Sequence, residues 1–387
     1  MRVLHIGKYY PPFAGGMERF LADLLPALQT QGIATAALVH DERRDRWGQR
    51  PPPVATPAIY RAPCHGQLLY APLSPAFPFW LQRAICEFRP DLLHLHLPNT
   101  SAFWALLMPA ARRLPWVVHW HADVVASMID TRLATAYRLY RPFEQRLLAA
   151  SKAVIATSPT YLAASAALQP WQDRCHIIPL GLDTNRITTS EPATQQRASA
   201  LWGQAAFRVL AIGRLTYYKG HEVLIRAAAD LPDSRTLIVG TGDQNARLKA
   251  LIDSLSLGNR VLLPGFQTEA DLNALLESCD VLCLPSLERT EAFGLVLLEA
   301  MRFGKPVVVS DIAGSGVGWV VRTAGHGLLT PTSDPIALAA ALRQMQQDPQ
   351  LRQRLGQAGV VALTEQFGIE PIAAKVSALY RQLLTHT

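Results

Sequence analysis

Short apolar runs alternate with helical windows from one end of the chain to the other. Apolar runs of about four to eight residues bounded by turn signals are typical of buried strands. Strands that alternate with helices in this way predict an α/β fold with parallel sheets. The predicted strands lie at residues 3–6, 34–39, 91–97, 116–120, 153–157, 176–179, 207–212, 237–239, 261–265, 280–284 and from 307 onward.

A polar stretch divides this alternation into two halves. Residues 184–206 are rich in Thr, Ser, Gln and Ala and show little apolar periodicity. We therefore predict an N-terminal α/β domain, a linker, a C-terminal α/β domain and a last helix that crosses back to the first domain. The corresponding bounds are 1–185, 186–206, 207–368 and 369–387.

The composition narrows the class of protein. Of the 387 residues, 49% are hydrophobic, which is enough for a core in each domain. No run of eighteen apolar residues occurs, so we expect no membrane-spanning helix. The first residues enter a strand directly, so we expect no signal peptide. The five cysteines are scattered and odd in number, which argues against a disulfide framework and favours a reducing cytosol.

Histidines and cysteines form no recognisable metal motif in the sequence. His94 and His96 alternate with leucines and share one face of a predicted strand, but a third ligand is missing. Neither a Cys-x-x-Cys pair nor a histidine cluster with ligand spacing is apparent. We therefore expect no metal and no cofactor.

Positive charge is concentrated in the N-terminal half. The formal net charge is +7, and residues 1–185 contain 18 Lys and Arg against 12 Asp and Glu, whereas the remainder contains 19 against 18. This asymmetry favours an anionic partner such as a membrane surface or a phosphorylated substrate. Beyond a faint match at residues 132–146, no basic stripe with aromatic platforms occurs, so we expect no nucleic acid.

Residues 129–150 are predicted to form one basic amphipathic helix. Pro142 is expected to kink it. Such a helix either lies on an anionic membrane or presents an ordinary solvated arginine face, and the sequence leaves both interpretations open. Its arginines are Arg132, Arg138, Arg141 and Arg146.

Two carboxylates, Glu291 and Glu299, stand eight residues apart after the predicted strand 280–284. Eight residues correspond to a little over two helical turns, so we expect both carboxylates on one helix face. The residues between them, 292–294, are expected at the helix start, where free backbone N–H groups can bind a phosphate. Carboxylates bind hydroxyls, so the whole stretch suits a nucleotide sugar.

A second group of candidate residues follows the predicted strand 207–212. Gly213 and Arg214 begin a turn, and Lys219 follows five residues after Arg214. Two cations on a strand-to-helix turn can clamp a diphosphate and stabilise it as a leaving group without a metal. Gly240 opens a Gly-x-Gly turn after the next strand, and Phe266 follows the strand after that.

In the N-terminal half, candidate chemistry lies at two strand ends. Gly15 and Gly16 separate a strand from a helix, and glycine lets the backbone approach an anion closely. His121 and Asp123 follow the predicted strand 116–120 at its carboxyl end, where open α/β sheets bind ligands. His119 lies two residues earlier and points the same way as His121.

These motifs, in this order, resemble those of retaining glycosyltransferases of family 4, which have two Rossmann-like domains facing across a cleft, the GT-B fold. The resemblance covers nearly the whole chain. It implies that Glu291 contacts the donor sugar, that Glu299 contacts the ribose, and that Phe266 lies near the nucleobase. The implied donor-binding residues are Gly15, Gly16, Gly213, Arg214, Lys219, Gly240, Phe266, Glu291, Ala292, Phe293, Gly294, Leu295 and Glu299.

The same resemblance assigns His121 to the transferred sugar. Asp123 is then its orienting partner, and His119 is the rival for the same role; both are placed on the acceptor side. The residues implied in catalysis are His121, Arg214, Lys219 and Glu291.

The sequence of residues 286–301 is similar to that of bacterial enzymes of O-antigen and exopolysaccharide assembly, many of which use GDP-mannose or GDP-rhamnose. It implies a retaining transferase that moves mannose or a related hexose from a GDP-sugar to a glycan or polyprenyl-diphosphate-linked acceptor, in the cytoplasm at the inner membrane. Two alternatives stay open: a UDP-sugar-dependent transferase with a soluble acceptor, and an epimerase-like nucleotide-sugar enzyme on the same fold.

Overall fold

The computed structural model describes residues 1–13, 15–42, 57–68, 71–124, 131–186 and 190–385, with the backbone alone for Leu68 and residues 131–135. The chain divides into two compact units. Unit 1 comprises Met1–Gly181 and Ile369–Thr387, and unit 2 comprises Leu182–Gly368. Each unit contains a parallel sheet with helices, so the predicted α/β fold is confirmed.

Unit 1 is built on a sheet of seven strands in its described part. Together with two strands that lie outside this sheet, the strands of unit 1 are β1 (Arg2–Ile6), β2 (Ala34–Asp41), β3 (Ala58–Pro63), β4 (Gln67–Leu68), β5 (Ala71–Pro72), β6 (Leu92–Leu97), β7 (Trp116–Trp120), β8 (Ala153–Ala156) and β9 (Cys175–Ile177). The sheet order is β3-β2-β1-β6-β7-β8-β9, every pairing is parallel, and β4 and β5 form a separate antiparallel pair. Strands β1, β6, β7 and β8 are buried over almost their whole length, as helices on both faces require.

The helices of unit 1 connect these strands. They are α1 (Gly16–Thr30), α2 (Phe77–Phe88), α3 (Trp104–Leu107), α4 (Pro109–Arg112), α5 (Thr131–Ala150) and α6 (Pro159–Ala164). Helix α1 buries Phe20, Leu24 and Leu28, which recur every four residues and form one apolar face with the neighbouring Leu21. Residues 129 and 130 of the predicted basic helix lie outside the described residues.

Unit 2 repeats the strand–helix alternation with six strands in its described part. The strands are β10 (Phe207–Ile212), β11 (Ser234–Val239), β12 (Val261–Gly265), β13 (Val281–Leu284), β14 (Val307–Ser310) and β15 (Gly327–Thr330). The helices are α7 (Pro192–Trp202), α8 (His221–Ala228), α9 (Asn245–Ser254), α10 (Glu269–Ser278), α11 (Leu295–Arg302), α12 (Gly316–Ala324), α13 (Pro335–Gln347) and α14 (Pro349–Ala362). All strand pairings are parallel.

The strand order places a ligand crevice in each sheet. Unit 2 has the order β12-β11-β10-β13-β14-β15, so the chain reverses direction across the sheet between β10 and β13. The equivalent reversal in unit 1 lies between β1 and β6. Ligands of open α/β sheets bind outside the carboxyl ends of the strands at such a point.

Residues 192–202 differ from the expectation that they form part of a linker. They form α7, which packs against α10 of unit 2. Thr194, Ala198 and Trp202 are buried at intervals of four residues, and the Trp202 indole donates to Ser278 at 2.9 Å. Two of these three buried residues are small or polar, so the apolar periodicity of the helix is weak in the sequence.

The last helix, α15 (Ile369–Thr385), belongs to unit 1, as predicted. It packs against α1 and buries Ile372, Val376 and Tyr380, and Arg381 donates to the Gln31 carbonyl at 2.9 Å. Among the helices of the described residues, none is long and apolar enough to cross a membrane.

Candidate active site

Glycines bring three loops of unit 2 together at the carboxyl edge of its sheet. Gly213 follows β10 and Gly240 follows β11. A Cβ on Gly240 would lie 2.0 Å from the Gly213 carbonyl oxygen, and Gly240 has φ of 144°. Only glycine permits both that backbone conformation and that close approach. The Leu215 N–H donates to the Thr241 carbonyl at 2.9 Å, which extends the contact between the two loops.

A third glycine fits the β10 loop against the loop after β13. Gly220 has φ of 66°, and a Cβ there would lie 1.9 Å from the Pro285 carbonyl oxygen. Lys219 directly precedes this contact, in the 3₁₀ turn Tyr217–Lys219. The tight approach carries the Lys219 side chain to Glu291, and Lys219 Nζ lies 2.5 Å from Glu291 Oε2.

The Lys219–Glu291 ion pair is largely buried, with side-chain exposures of 12% and 11%. Burial disfavours the charged lysine, but the adjacent Glu291 carboxylate and Tyr218 outweigh this effect, so the pKa of Lys219 is raised. Arg214 is exposed, and its positive charge lies close enough to lower the pKa of Lys219, but this effect does not reverse the net rise. Lys219 therefore remains cationic at neutral pH.

Serines hold Glu291 in place. Ser286 Oγ donates to Glu291 Oε2 at 3.1 Å, and Ser315 donates to the Glu291 carbonyl. Within the described part of the chain, Glu291 Oε1 accepts no hydrogen bond. One carboxylate oxygen is thus fully engaged and the other is left for a ligand hydroxyl.

Helix α11 begins later than the sequence predicts. Its first residue is Leu295, and Gly294 before it has φ of 77°, a left-handed conformation that ends the extended loop. Glu291 therefore lies in the loop and Glu299 in the second turn of the helix, where it is 6% exposed. The expectation that both carboxylates share one helix face is wrong, because the helix does not include residues 291–294.

The residues between Glu291 and the helix are packed rather than open. Ala292 and Phe293 are 7% and 3% exposed, and the Ala292 carbonyl accepts from the Gly316 N–H at 2.8 Å. Phe266, which follows β12, is by contrast 69% exposed after a glycine with φ of 74°. An exposed aromatic ring at this edge is suited to stacking on a planar ligand.

In unit 1, His121 follows β7 at the carboxyl edge of the sheet. The backbone N–H of His121 donates to the Leu97 carbonyl at 2.9 Å, and the residue is 8% exposed. Its Nε2 lies 2.9 Å from Nδ1 of His96. The sequence expectation named Asp123 as the orienting partner, but Asp123 accepts from Trp120 at 2.9 Å and from Ser165 at 2.6 Å. The structure gives the orienting contact to His96.

His121 and His119 differ in exposure. His119 is completely buried, and its ring stacks on His121 with centroids 4.3 Å apart. Since His121 alone of the two is partly exposed, the structure favours His121 over His119 for contact with a ligand.

The sequence expectation that His94 and His96 lack a third histidine is wrong, because His5 lies beside them. His5, His94, His96, His119 and His121, which we call the histidine column, stack along three neighbouring strands of unit 1. Two triads within it have ring nitrogens within 4.8 Å of one another. The third histidine comes from a neighbouring strand, and strand neighbours are not readable from spacing along one segment.

The Gly15–Gly16 turn begins α1 as predicted. A Cβ on Gly15 would lie 2.1 Å from Glu18 Oε2, so glycine here leaves room for the Glu18 carboxylate at the N-terminus of the helix. Ala14, which precedes the pair, lies outside the described residues.

Sequence reasoning missed Ser286, Ser315, His5 and His96 as parts of these sites. Ser286 stands two residues after β13, at the same edge as Gly213, and that position was the available signal. His5 and His96 carry no local signal, because their partners come from other strands.

Comparisons with known proteins identify the family of the chain. The family model "Glycosyl transferases group 1" matches residues 193–360, and the model "Glycosyl transferase 4-like domain" matches residues 15–181. O-antigen chain mannosyltransferase C of Escherichia coli is 30% identical over 394 residues, which cover 99% of each chain. D-rhamnosyltransferase WbpZ of Pseudomonas aeruginosa is 29% identical over 92% of this chain and 89% of its own.

Solved structures share the fold. Sucrose-phosphate synthase from Thermosynechococcus elongatus superposes with a TM-score of 0.81 at 24% identity over the whole of both chains. Anabaena HepE in complex with UDP and glucose superposes with a TM-score of 0.75 at 23% identity, covering 99% of this chain and 100% of its own.

Proposed function

This chain belongs to glycosyltransferase family 4, the group 1 glycosyltransferases with the GT-B fold, and from that premise we propose that it is a retaining mannosyl- or related hexosyltransferase. Its donor is a GDP-sugar, and its acceptor is a glycan or a polyprenyl-diphosphate-linked glycan of bacterial surface polysaccharide. The curated relatives support this choice, because they are named as an O-antigen mannosyltransferase and a D-rhamnosyltransferase.

The observation that carries the proposal is the buried Lys219–Glu291 pair at the glycine-built edge of unit 2. A lysine cation there binds the donor diphosphate together with the exposed Arg214. Glu291 Oε1, which is left without a hydrogen bond in the described chain, accepts from a hydroxyl of the donor sugar. Glu299 binds the ribose, Phe266 lies along the nucleobase, and the N-terminus of α11 adds N–H donors.

Transfer proceeds by attack on the same face of the sugar. The bond between the anomeric carbon and the phosphate oxygen breaks, and the nucleoside diphosphate leaves with the electron pair. The acceptor hydroxyl forms the new bond, and its proton passes to an oxygen of the departing phosphate. Lys219 and Arg214 stabilise the charge that develops on that phosphate. We propose no metal and no cofactor in this step.

His121 positions the sugar in this mechanism rather than removing a proton. Burial lowers its pKa to about 3, so the ring is neutral at physiological pH. A neutral imidazole offers one donor and one acceptor, which suits a hydrogen bond to a sugar hydroxyl.

We propose that the protein binds an anionic membrane surface, the cytoplasmic face of the inner membrane. Helix α5 presents exposed Arg138, Arg141 and Arg146 together with Leu139, which is 78% exposed, and Phe143, which is 44% exposed. Basic and apolar side chains on one exposed helix match the composition of interfacial helices. Phe143 and Arg146 also line a cavity of about 540 Å³ with Leu107, which is 67% exposed.

Vesicle flotation tests this membrane contact. Wild-type protein should float with vesicles that contain anionic phospholipid and stay behind with neutral ones, and Leu139→Ser should weaken flotation. Ile336→Ser is the matched control, because Ile336 is 77% exposed on unit 2. Failure of the wild-type protein to float with anionic vesicles would contradict the proposed contact and favour a soluble acceptor.

A thermal-stability screen tests the donor. A ligand that binds the folded state raises Tm in proportion to ln(1 + [L]/Kd), so GDP-mannose should raise Tm more than UDP-glucose. The reverse order would favour the UDP-sugar alternative. A product with the inverted anomeric configuration would contradict retention, and a change of sugar stereochemistry without acceptor would favour an epimerase.

A further inference from the structure

The histidine column follows from the register of three strands. His5 on β1 pairs with His94 on β6, and His96 on β6 pairs with His119 on β7. Residues two apart on a strand share a face, and paired residues of parallel strands do so too. All five rings therefore project to one face of the unit 1 sheet. Four of them are completely buried, and His121 at the end is 8% exposed.

Three of the rings form a continuous hydrogen-bonded chain. His5 Nδ1 lies 3.0 Å from His96 Nε2, and His96 Nδ1 lies 2.9 Å from His121 Nε2. Both nitrogens of His96 are thus engaged. In the described chain, His121 Nδ1 has no partner and is the nitrogen left for a substrate.

The column is electrically neutral. Burial lowers the pKa of His5 to about 3 and that of His96 well below its ordinary value. A neutral imidazole carries one N–H donor and one acceptor nitrogen. Because His96 uses both, its two hydrogen bonds must run in the same direction, either from His5 towards His121 or the reverse.

The direction decides what His121 offers to a substrate. If His5 Nδ1–H donates to His96, then His96 Nδ1–H donates to His121 Nε2, and His121 carries its proton on Nδ1. In the reverse direction His121 Nδ1 is a bare acceptor, and His5 carries its proton on Nε2, which is buried without a partner. Among buried backbone groups, an orphaned N–H is rarer than an under-used acceptor, and we infer the same order for this ring.

We propose that His5 and His96 are positioning residues that hold His121 in the Nδ1–H tautomer, so that His121 donates a hydrogen bond to a hydroxyl or oxygen of the bound sugar. The inference rests on the proposed transferase function only for the identity of that sugar. The tautomer itself is a property of the ligand-free protein.

A shared metal ion is a poorer account of the same rings. His119 and His121 are within 8° of parallel at a centroid separation of 4.3 Å, and His94 and His96 within 11° at 4.5 Å. Ligand lone pairs lie in the ring plane, so closely stacked parallel rings do not direct them to one point. Both nitrogens of His96 are already engaged by other histidines.

Nitrogen NMR of the full chain labelled with ¹⁵N in the histidine rings tests the proposal. The His121 signals are identified by their loss in His121→Gln. In the wild type, Nδ1 of His121 should carry the proton and Nε2 should not. A proton on Nε2, an even mixture of tautomers, or a stoichiometric metal in the purified protein would overturn the proposal.

Two matched variants separate positioning from packing. His96→Phe removes both hydrogen bonds and should leave His121 as a mixture of tautomers, whereas His96→Gln retains a donor and should restore the Nδ1–H form. His119→Phe replaces an equally buried ring without a hydrogen-bond partner in the described chain, so the His121 tautomer should not change. An unchanged tautomer in folded His96→Phe would overturn the role of His96.

Steady-state kinetics test whether the hydrogen-bonded histidines affect sugar transfer. His96→Phe should lower kcat/KM for sugar transfer roughly tenfold, with recovery in His96→Gln. If the protein transfers no sugar, the proposed function fails while the NMR result still decides the tautomer. If transfer occurs and His96→Phe retains full kcat/KM, the positioning role fails.

Discussion

The polar groups at the sheet edge of unit 2 are charged, whereas those along the sheet of unit 1 are neutral. Lys219 and Glu291 form a buried ion pair with serine support. His5, His96 and His121 form a chain of uncharged rings. A charged pair suits the binding of a charged diphosphate, and a neutral chain suits the orientation of a neutral sugar. The contrast teaches that two similar α/β units can bury polar groups in opposite ways, one as an ion pair and the other as uncharged rings.

The largest effect is expected from Lys219→Ala. The change removes the cation that we propose binds the diphosphate, and it leaves Glu291 buried without its partner. We expect kcat/KM to fall by about 10³-fold, on the order of 4 kcal/mol of transition-state stabilisation. Steady-state kinetics with the donor at saturating acceptor measure it.

Arg226→Ala is its control, because Arg226 pairs with Glu222 on the surface, with side-chain exposures of 48% and 35%. That variant should retain full turnover. An equal fall of kcat/KM in the two variants would show that Lys219 matters no more than a surface cation.

Glu291→Gln should cost about 100-fold in kcat/KM. The amide keeps the shape of the side chain but loses the negative charge that raises the pKa of Lys219. It also weakens the proposed acceptor for the sugar hydroxyl. Glu269→Gln, which removes a carboxylate paired with Arg186 on the surface, should leave turnover unchanged. Wild-type kinetics in Glu291→Gln would remove the glutamate from the site.

Acid should destabilise unit 1 more than unit 2. A buried histidine whose pKa falls from 6.5 to about 3, such as His5, stabilises the fold above pH 6.5, and this contribution is lost as the pH falls towards 3 because the unfolded chain binds the proton first. Each such group costs up to about 2 kcal/mol between pH 7 and pH 5. Among the described residues, unit 1 has six histidines with a lowered pKa and unit 2 has two, namely His5, His40, His94, His96, His119 and His121 against His221 and His326.

Hydrogen exchange at pH 7 and pH 5 measures this difference. Peptides from β1, β6 and β7 should lose protection before those from β10 and β13. Simultaneous loss in both sheets would show that the histidine column does not weaken unit 1 selectively.

The smallest effect is expected from Ser286→Ala. Its hydroxyl donates to the charged Glu291 Oε2 at 3.1 Å, and the loss of one such bond should lower kcat/KM roughly tenfold. Ser254→Ala, which removes a bond to the Leu251 carbonyl on an exposed helix, should have no effect on kinetics. If Ser286→Ala is as active as wild type, Lys219 is the side chain that matters for holding the Glu291 carboxylate.

Local patterns made much of the fold predictable. The apolar strands and the last helix, α15, are predictable from the sequence, and so are the turns that hold Lys219 and His121. The start of α11 is not, because the helix begins only after Gly294, whose left-handed backbone conformation is not readable from the spacing of the two glutamates. Helix α7 was hidden because two of its three buried residues, Thr194 and Ala198, are small or polar.

The two sites also differ in how far the local sequence predicts them. The residues of the unit 2 edge lie next to glycine motifs, so their positions followed from local sequence. The histidine column depends on which strands are neighbours, and the pairing of His5 with His94 joins segments about ninety residues apart. A single sequence contains no signal for that register.

Hydrogen exchange of the wild-type protein with and without saturating GDP, with UDP in parallel, tests most directly whether the sheet edge of unit 2 holds a nucleoside diphosphate. The account predicts slower exchange in residues 213–220, 240–243 and 285–297 with the preferred nucleotide. Slower exchange confined to unit 1, or no change with either nucleotide at saturation, would contradict it.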